Sequence, residues 1–221
     1  MCGRFTITST EEAVRAIFGY TSPPLNLRPN YNVAPTHDVP MVRNAEKGGR
    51  EMVHVRWGLI PFWAKDTKIA FSTINARVET VQTSGTYRNA FKSRRCLVVA
   101  DGFYEWKKLD AKGKEKQPYR ITLKSGQPFG FAGLWETWGK ASDAITSCTI
   151  ITGKPNELVA TIHDRMAIIL PPEHYDAWLS GEAGTEILTP YPAKLMRAYP
   201  VDRRVGNVKN NDASLLEPIK V

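Results

Sequence analysis

Over most of its length the chain gathers its apolar residues into short runs broken by Gly, Pro, Asn and Asp. Runs of this kind at 39–43, 51–59, 96–106, 119–123, 129–135, 147–152 and 166–170 are rich in Val, Ile, Phe, Tyr and Trp and predict strands. Helical spacing is rarer. Ser9 followed by Glu12 reads as a capping box that opens a helix with Ala13, Val14, Ile17 and Phe18 as its apolar face. Shorter helices are predicted at 78–84, 87–92, 156–162, 173–180 and 193–198, with Pro155, Pro172 and Pro192 suited to first turns. The proline-rich stretch 21–40 predicts an ordered surface loop, because each proline removes a donor and restrains its predecessor. The polar, Gly-containing segment 107–117 (KKLDAKGKEKQ) predicts a solvated hairpin loop. With no repeat and no linker, the pattern predicts one α+β domain over residues 1–221, with a mainly antiparallel, barrel-like β core and short peripheral helices.

Composition narrows the function classes. The 221 residues are 42% hydrophobic and 24% charged, which suits a folded globular chain and excludes disorder. Thirty Lys plus Arg against 22 Asp plus Glu give a formal charge of +8, the electrostatic precondition for a polyanionic partner. No apolar run reaches the roughly 18 residues of a membrane span, and the opening MCGRFTITSTEE lacks the regions of a signal peptide, so the expected location is cytoplasmic. Cys2, Cys96 and Cys148 are odd in number and without metal-ligand spacing; Cys96 and Cys148 sit in apolar strand patterns and read as buried and inert. His37, His54, His163 and His174 also lack ligand spacing, and no glycine-rich loop follows a strand, so no metal or organic cofactor is implied. A monomer is expected.

Cys2 stands apart because it follows the initiator Met. Removal of Met1 leaves a terminal amine, ordinary pKa about 7.7–8.0, one residue from a thiol of about 8.5, so both nucleophiles are expected to be available near neutral pH. A 1,2-aminothiol condenses with an aldehyde: the amine forms a Schiff base, sulfur attacks the imine carbon, and a thiazolidine closes. An abasic deoxyribose carries such an aldehyde. A terminal nucleophile of this kind also fits amide hydrolysis with its own amine as base, so a peptidase acting in trans stays open, as does a noncovalent single-strand-binding module.

The segments MCGRF, NYNVAPT (30–36), RWGLIPFW (56–63), NARVET (75–80), DGFYEWKK (101–108), IHDRMA (162–167) and VGNVKN (205–210) occur in this order across nearly the whole chain. Together they resemble the SRAP family, first described as SOS-response-associated peptidases and now understood to shield abasic sites. The resemblance implies a DNA-repair protein in which Cys2 crosslinks to the aldehyde of an abasic site in single-stranded DNA, also at single/double-strand junctions. It further implies a lyase side reaction, autocatalytic removal of Met1, and association with the nucleoid when DNA is bound. It marks Asn75, Glu105 and His163 as the groups around Cys2. Their chemistry agrees: a carboxylate within the apolar FYEW run is partly desolvated, an imidazole is a second acid or base, and an amide orients a hydroxyl without adding charge. For DNA contacts the expected residues are Arg4, Arg77 and Arg165, each two positions from Cys2, Asn75 or His163, the aromatics Trp63 and Trp106, with Phe62 beside them, and Asn32 and Lys209.

Overall fold

In the computed structural model residues 2–220 are described. The chain enters through β1 (Phe5–Ile7) and α1 (Glu11–Phe18), then β2 (Asn30–Val33), β3 (Asp38–Asn44), β4 (Arg50–Trp57) and β5 (Asn75–Arg77). It continues through α2 (Arg88–Ser93), β6 (Arg95–Ala100), β7 (Gly102–Lys108), β8 (Lys116–Leu123), β9 (Phe129–Trp138) and β10 (Ile145–Gly153). The last elements are α3 (Glu157–Ala160), β11 (Met166–Ala167), β12 (Ile169–Leu170), α4 (Tyr175–Ser180) and β13 (Met196–Pro200).

Strand pairing closes a barrel. β4 pairs with β3, β3 with β6, β6 with β9 and β9 with β10, all antiparallel, and β10 returns to β4 in parallel. Closure leaves no free edge along this ring. β5 adds to β10 in parallel, and β11 and β12 add to β10 and β9. A second sheet, in the order β13-β8-β7-β1-β2, packs against the barrel. The expected α+β class, single domain and antiparallel barrel-like core are therefore all present.

Alternation decides what each face meets. On β6, Cys96, Val98 and Ala100 face a core shared with Phe5, Phe103 and Ile121 of the second sheet, while Leu97 and Val99 face Phe18, Phe91, Tyr175 and Trp178 of the covering helices. Edge-to-face contacts of Phe5 with Trp57 (4.9 Å) and of Phe103 with Phe131 (5.8 Å) join the two sheets. Cys96 and Cys148 are fully buried free thiols in this core, as expected.

Several local expectations are corrected. The run 96–106 is two strands in two sheets, split at Asp101. Asp101 accepts hydrogen bonds from the Thr6 and Ser9 hydroxyls and from the backbone N–H groups of Thr8 and Ser9, and pairs with buried Arg120 at 3.6 Å. Gly102 is required next to it, because a Cβ there would lie 2.9 Å from both Thr6 Oγ1 and an Arg120 nitrogen. With Ser9 held by Asp101, the cap of α1 falls one residue later, on Thr10, which accepts from the Ala13 N–H at 3.3 Å. The proline-rich stretch holds β2, paired with β1 between Pro29 and Pro35, and the start of β3. The segment 78–84 is a series of turns in which only Val81 is buried; Val78, Thr80, Val81 and Thr83 are β-branched and disfavour a helix. Of 193–198, a single 3₁₀ turn (Ala193–Leu195) survives and the rest is β13, because β8 offers an open edge. The hairpin expected at 107–117 forms, with the Leu109 N–H bonded to the Glu115 carbonyl at 2.9 Å and Gly113 at φ +63°. Among the described residues no helix is long and apolar enough to cross a membrane.

Candidate functional site

The short strand β1 carries the chain start along β7. Phe5 lies opposite Phe103, Thr6 opposite Gly102, and the Tyr104 N–H bonds the Arg4 carbonyl at 3.0 Å. This pairing, locked by Asp101 and Arg120, delivers Cys2 to the end of the shared core that also holds Ile150 and Ile162. Cys2 is completely buried. Met1, whose removal the chemistry requires, lies outside the described residues.

Glu105 reaches the same place from β7. Phe103 and Glu105 share one strand face, so the carboxylate points where apolar side chains point, and it is 1% exposed. Burial raises its pKa to about 7, and the negative charge of Asp164 adds to the rise. The Cys2 thiol is pushed well above its ordinary value by burial first and by the Glu105 charge second. The expectation that thiol and amine are both freely available near neutral pH is thereby corrected: at rest the sulfur keeps its proton.

His163 is set by α3. Asn156 caps that helix by accepting from the Val159 N–H at 2.9 Å, and the chain turns so that the His163 N–H bonds the Val159 carbonyl at 2.8 Å. The imidazole Nε2 then lies 3.9 Å from Glu105 Oε2. Nδ1 faces the Arg165 backbone, 3.0 Å from its N–H and 3.3 Å from its carbonyl, which leaves Nε2 turned toward Glu105. Partial burial lowers the His163 pKa, which favours the neutral ring.

Asn75 belongs to the barrel side. β5 pairs with β10 at Ile150, which packs in the cluster holding Cys2. Its Nδ2 reaches the Ile150 carbonyl at 3.5 Å, while its buried Oδ1 has no hydrogen-bond partner among the described residues. The Tyr87 hydroxyl fixes the Asn75 backbone by donating to its carbonyl at 3.1 Å, a support that sequence reading did not supply. Thr6, Asp101 and Arg120 were likewise missed; the one available signal was an Asp-Gly pair inside an otherwise apolar strand run.

The expected DNA-contact residues divide. Arg77 and Lys209 are exposed, Trp63 is 51% exposed and Phe62 57%, and Trp106 is half-buried beside Tyr104 and Val205. Arg165 forms a two-pronged ion pair with Glu79 and donates to the Thr152 carbonyl at 2.7 Å, so its guanidinium is already engaged. Asn32 is 1% exposed and spends its amide on the carbonyls of Val205, Asn207 and Asn210 at 2.9–3.1 Å. Arg4 donates to the Val205 carbonyl at 3.0 Å. Asn32 and Arg4 thus tie the 205–210 loop to the chain start. Among the described residues no group of His, Cys, Asp and Glu side chains could hold a metal ion.

Fold and side-chain placement define a class: a closed-barrel protein in which the buried Cys2 feels the charge of a buried carboxylate, Glu105, that itself lies 3.9 Å from an imidazole. A family profile described as SOS response associated peptidase (SRAP) matches residues 1–208, and the chain belongs to the SRAP family. It is 43% identical over 98% of its length and 99% of the other chain to the abasic site processing protein YoqW of Bacillus subtilis. It is 34% identical to the abasic site processing protein YedK of Escherichia coli, over 99% of this chain and all of that one. A crystal structure of a protein from Bacteroides thetaiotaomicron superposes with a TM-score of 0.87 at 26% identity, covering 99% of this chain and all of that chain.

Proposed function

We propose that this protein captures abasic sites in single-stranded DNA by forming a covalent bond through Cys2. The observation that carries the reading is the burial of Cys2 and Glu105 on one core face, with the carboxylate raised to about 7 and His163 3.9 Å away. The names of the curated relatives support it.

After loss of Met1, hydrolysed from the chain as the family name implies, the Cys2 amine attacks the aldehyde carbon. The carbinolamine expels its oxygen as water, and Glu105 and His163 deliver and collect the protons. Sulfur then adds to the imine carbon while the thiol proton ends on nitrogen, directly or through Glu105. Amine, thiol and aldehyde become a thiazolidine plus one water, so no oxidant or reductant is needed. The same imine acidifies the sugar C2′ proton; its loss expels the 3′ phosphate with the C3′–O bonding electrons, which gives a lyase side reaction. Asn75, with a buried oxygen open to a donor, holds a sugar hydroxyl or the amine. Arg77, Trp63, Trp106 and Lys209 face the strand, Arg4 and Asn32 shape the loop beside it, and Arg165 holds the 163–165 turn in place.

Processed protein mixed with single-stranded DNA bearing one abasic site is expected to give a band that survives denaturing electrophoresis. Intact DNA is expected to give none. Equal bands from both strands, or none from either, contradict the reading.

A further inference from the structure

Beyond Glu105 the strand β7 runs out of the core as Trp106, Lys107 and Lys108, turns, and returns as β8 from Lys116. Five lysines, at 107, 108, 112, 114 and 116, sit on this hairpin against two acids, Asp110 and Glu115. Lys108 lies directly opposite Lys116 in the antiparallel register. Like charges directly opposite each other are destabilising, so the pairing does not serve the hairpin's own stability. Among the described residues none of these lysines is in an ion pair, although the arginines of the chain commonly are. Lys108, Lys112, Lys114 and Lys116 are exposed.

The hairpin is also aimed. Lys107 shares the strand face of Glu105, about 7 Å further along at the usual strand rise. Trp106, Lys107 and Lys108 form one wall of an open groove of about 350 Å³ whose other wall holds Ile162, His163 and Asp164. From His163 the groove therefore passes an aromatic ring and the ammonium groups of Lys107 and Lys108, with Asp164 as the acid among its lining residues.

We propose that the β7–β8 hairpin is a phosphate-binding arm for the single strand flanking the abasic nucleotide, with Lys107, Lys108 and Lys116 as its contacts. This rests on the abasic-site reading and adds a footprint outside the reacting pocket. The arm binds backbone charge and is indifferent to base sequence.

Neutralising each single-strand phosphate contact lowers the slope of log K against log salt by about 0.7. The triple variant Lys107→Gln, Lys108→Gln, Lys116→Gln, in processed full-length protein, is measured by fluorescence anisotropy on an undamaged single-stranded oligonucleotide over a salt series. Its slope is expected to be less steep than wild type by about 2. A tip variant, Lys112→Gln with Lys114→Gln, leaves the strands untouched and is expected to change the slope by less. Removing equal charge elsewhere, with Lys47→Gln, Lys92→Gln and Lys140→Gln, is expected to leave it unchanged. An unchanged slope in the triple variant, or an equal change in the remote one, overturns the arm. Wild type that shows these slopes yet captures no abasic strand overturns the abasic-site reading instead, and leaves the arm as a single-strand contact.

Discussion

Replacing Glu105 by Gln is expected to stabilise the fold at pH 8 while crippling its chemistry. Burial holds the Glu105 carboxyl at about 7 in the folded protein, against 4.5 when unfolded. Between those values the folded state keeps a proton that the unfolded chain has lost, so stability falls as pH rises from 4.5 to 7 and stays low above it. Gln keeps the shape and removes the charge, so the variant is expected to gain on the order of 2–3 kcal/mol at pH 8 and little at pH 4. Thermal melts at the two pH values check this. Equal gains at both would show that charge burial is not the cause. In the same variant, crosslink formation is expected to slow by about 10²–10⁴-fold, the usual worth of a positioned acid–base group. Wild type is expected to speed up through pH 7 as Glu105 deprotonates, and the variant to lose that rise. A residue whose removal stabilises the protein but slows the reaction is kept for function.

The second large effect separates the two nucleophiles. Processed Cys2→Ser keeps the terminal amine and loses the thiol. It is expected to form the imine, trapped as a stable band only when borohydride is present, and to lose the spontaneous denaturation-resistant crosslink entirely. Lyase cleavage of the abasic strand should persist and rise relative to capture, because no sulfur closes the ring. A spontaneous stable crosslink in Cys2→Ser at the wild-type level would remove sulfur from the account.

What the sequence could show depended on the range of the forces involved. Enrichment in β-branched and aromatic residues between turn formers is local, so the strands at 39–43, 119–123, 129–135 and 147–152 were legible from their own residues. The desolvation of Glu105 was legible too, because its neighbours Phe103, Tyr104 and Trp106 announce an apolar strand. The break at Asp101 was not: it depends on donors from Thr6, Thr8 and Ser9, more than ninety positions away. The same interaction moved the helix cap from Ser9 to Thr10. Complete burial of Cys2 was hidden because β1 is three residues long and draws its partners from β7 and β2. Asn32 looked like a surface contact because three carbonyls of the distant 205–210 loop consume its amide. Arg165 looked free because Glu79, which neutralises it, lies 86 positions earlier.

Borohydride sharpens the central question, since it reduces an imine and leaves a thiazolidine untouched. The decisive measurement is the mass of the amino-terminal peptide from the crosslinked, nuclease-digested protein, with and without borohydride treatment. The account predicts a peptide that begins at Cys2, carries the sugar remnant with loss of one water, and keeps the same mass after borohydride. A peptide still carrying Met1, an adduct on any other residue, or a mass that rises by two hydrogens on reduction would contradict covalent capture through a Cys2 thiazolidine.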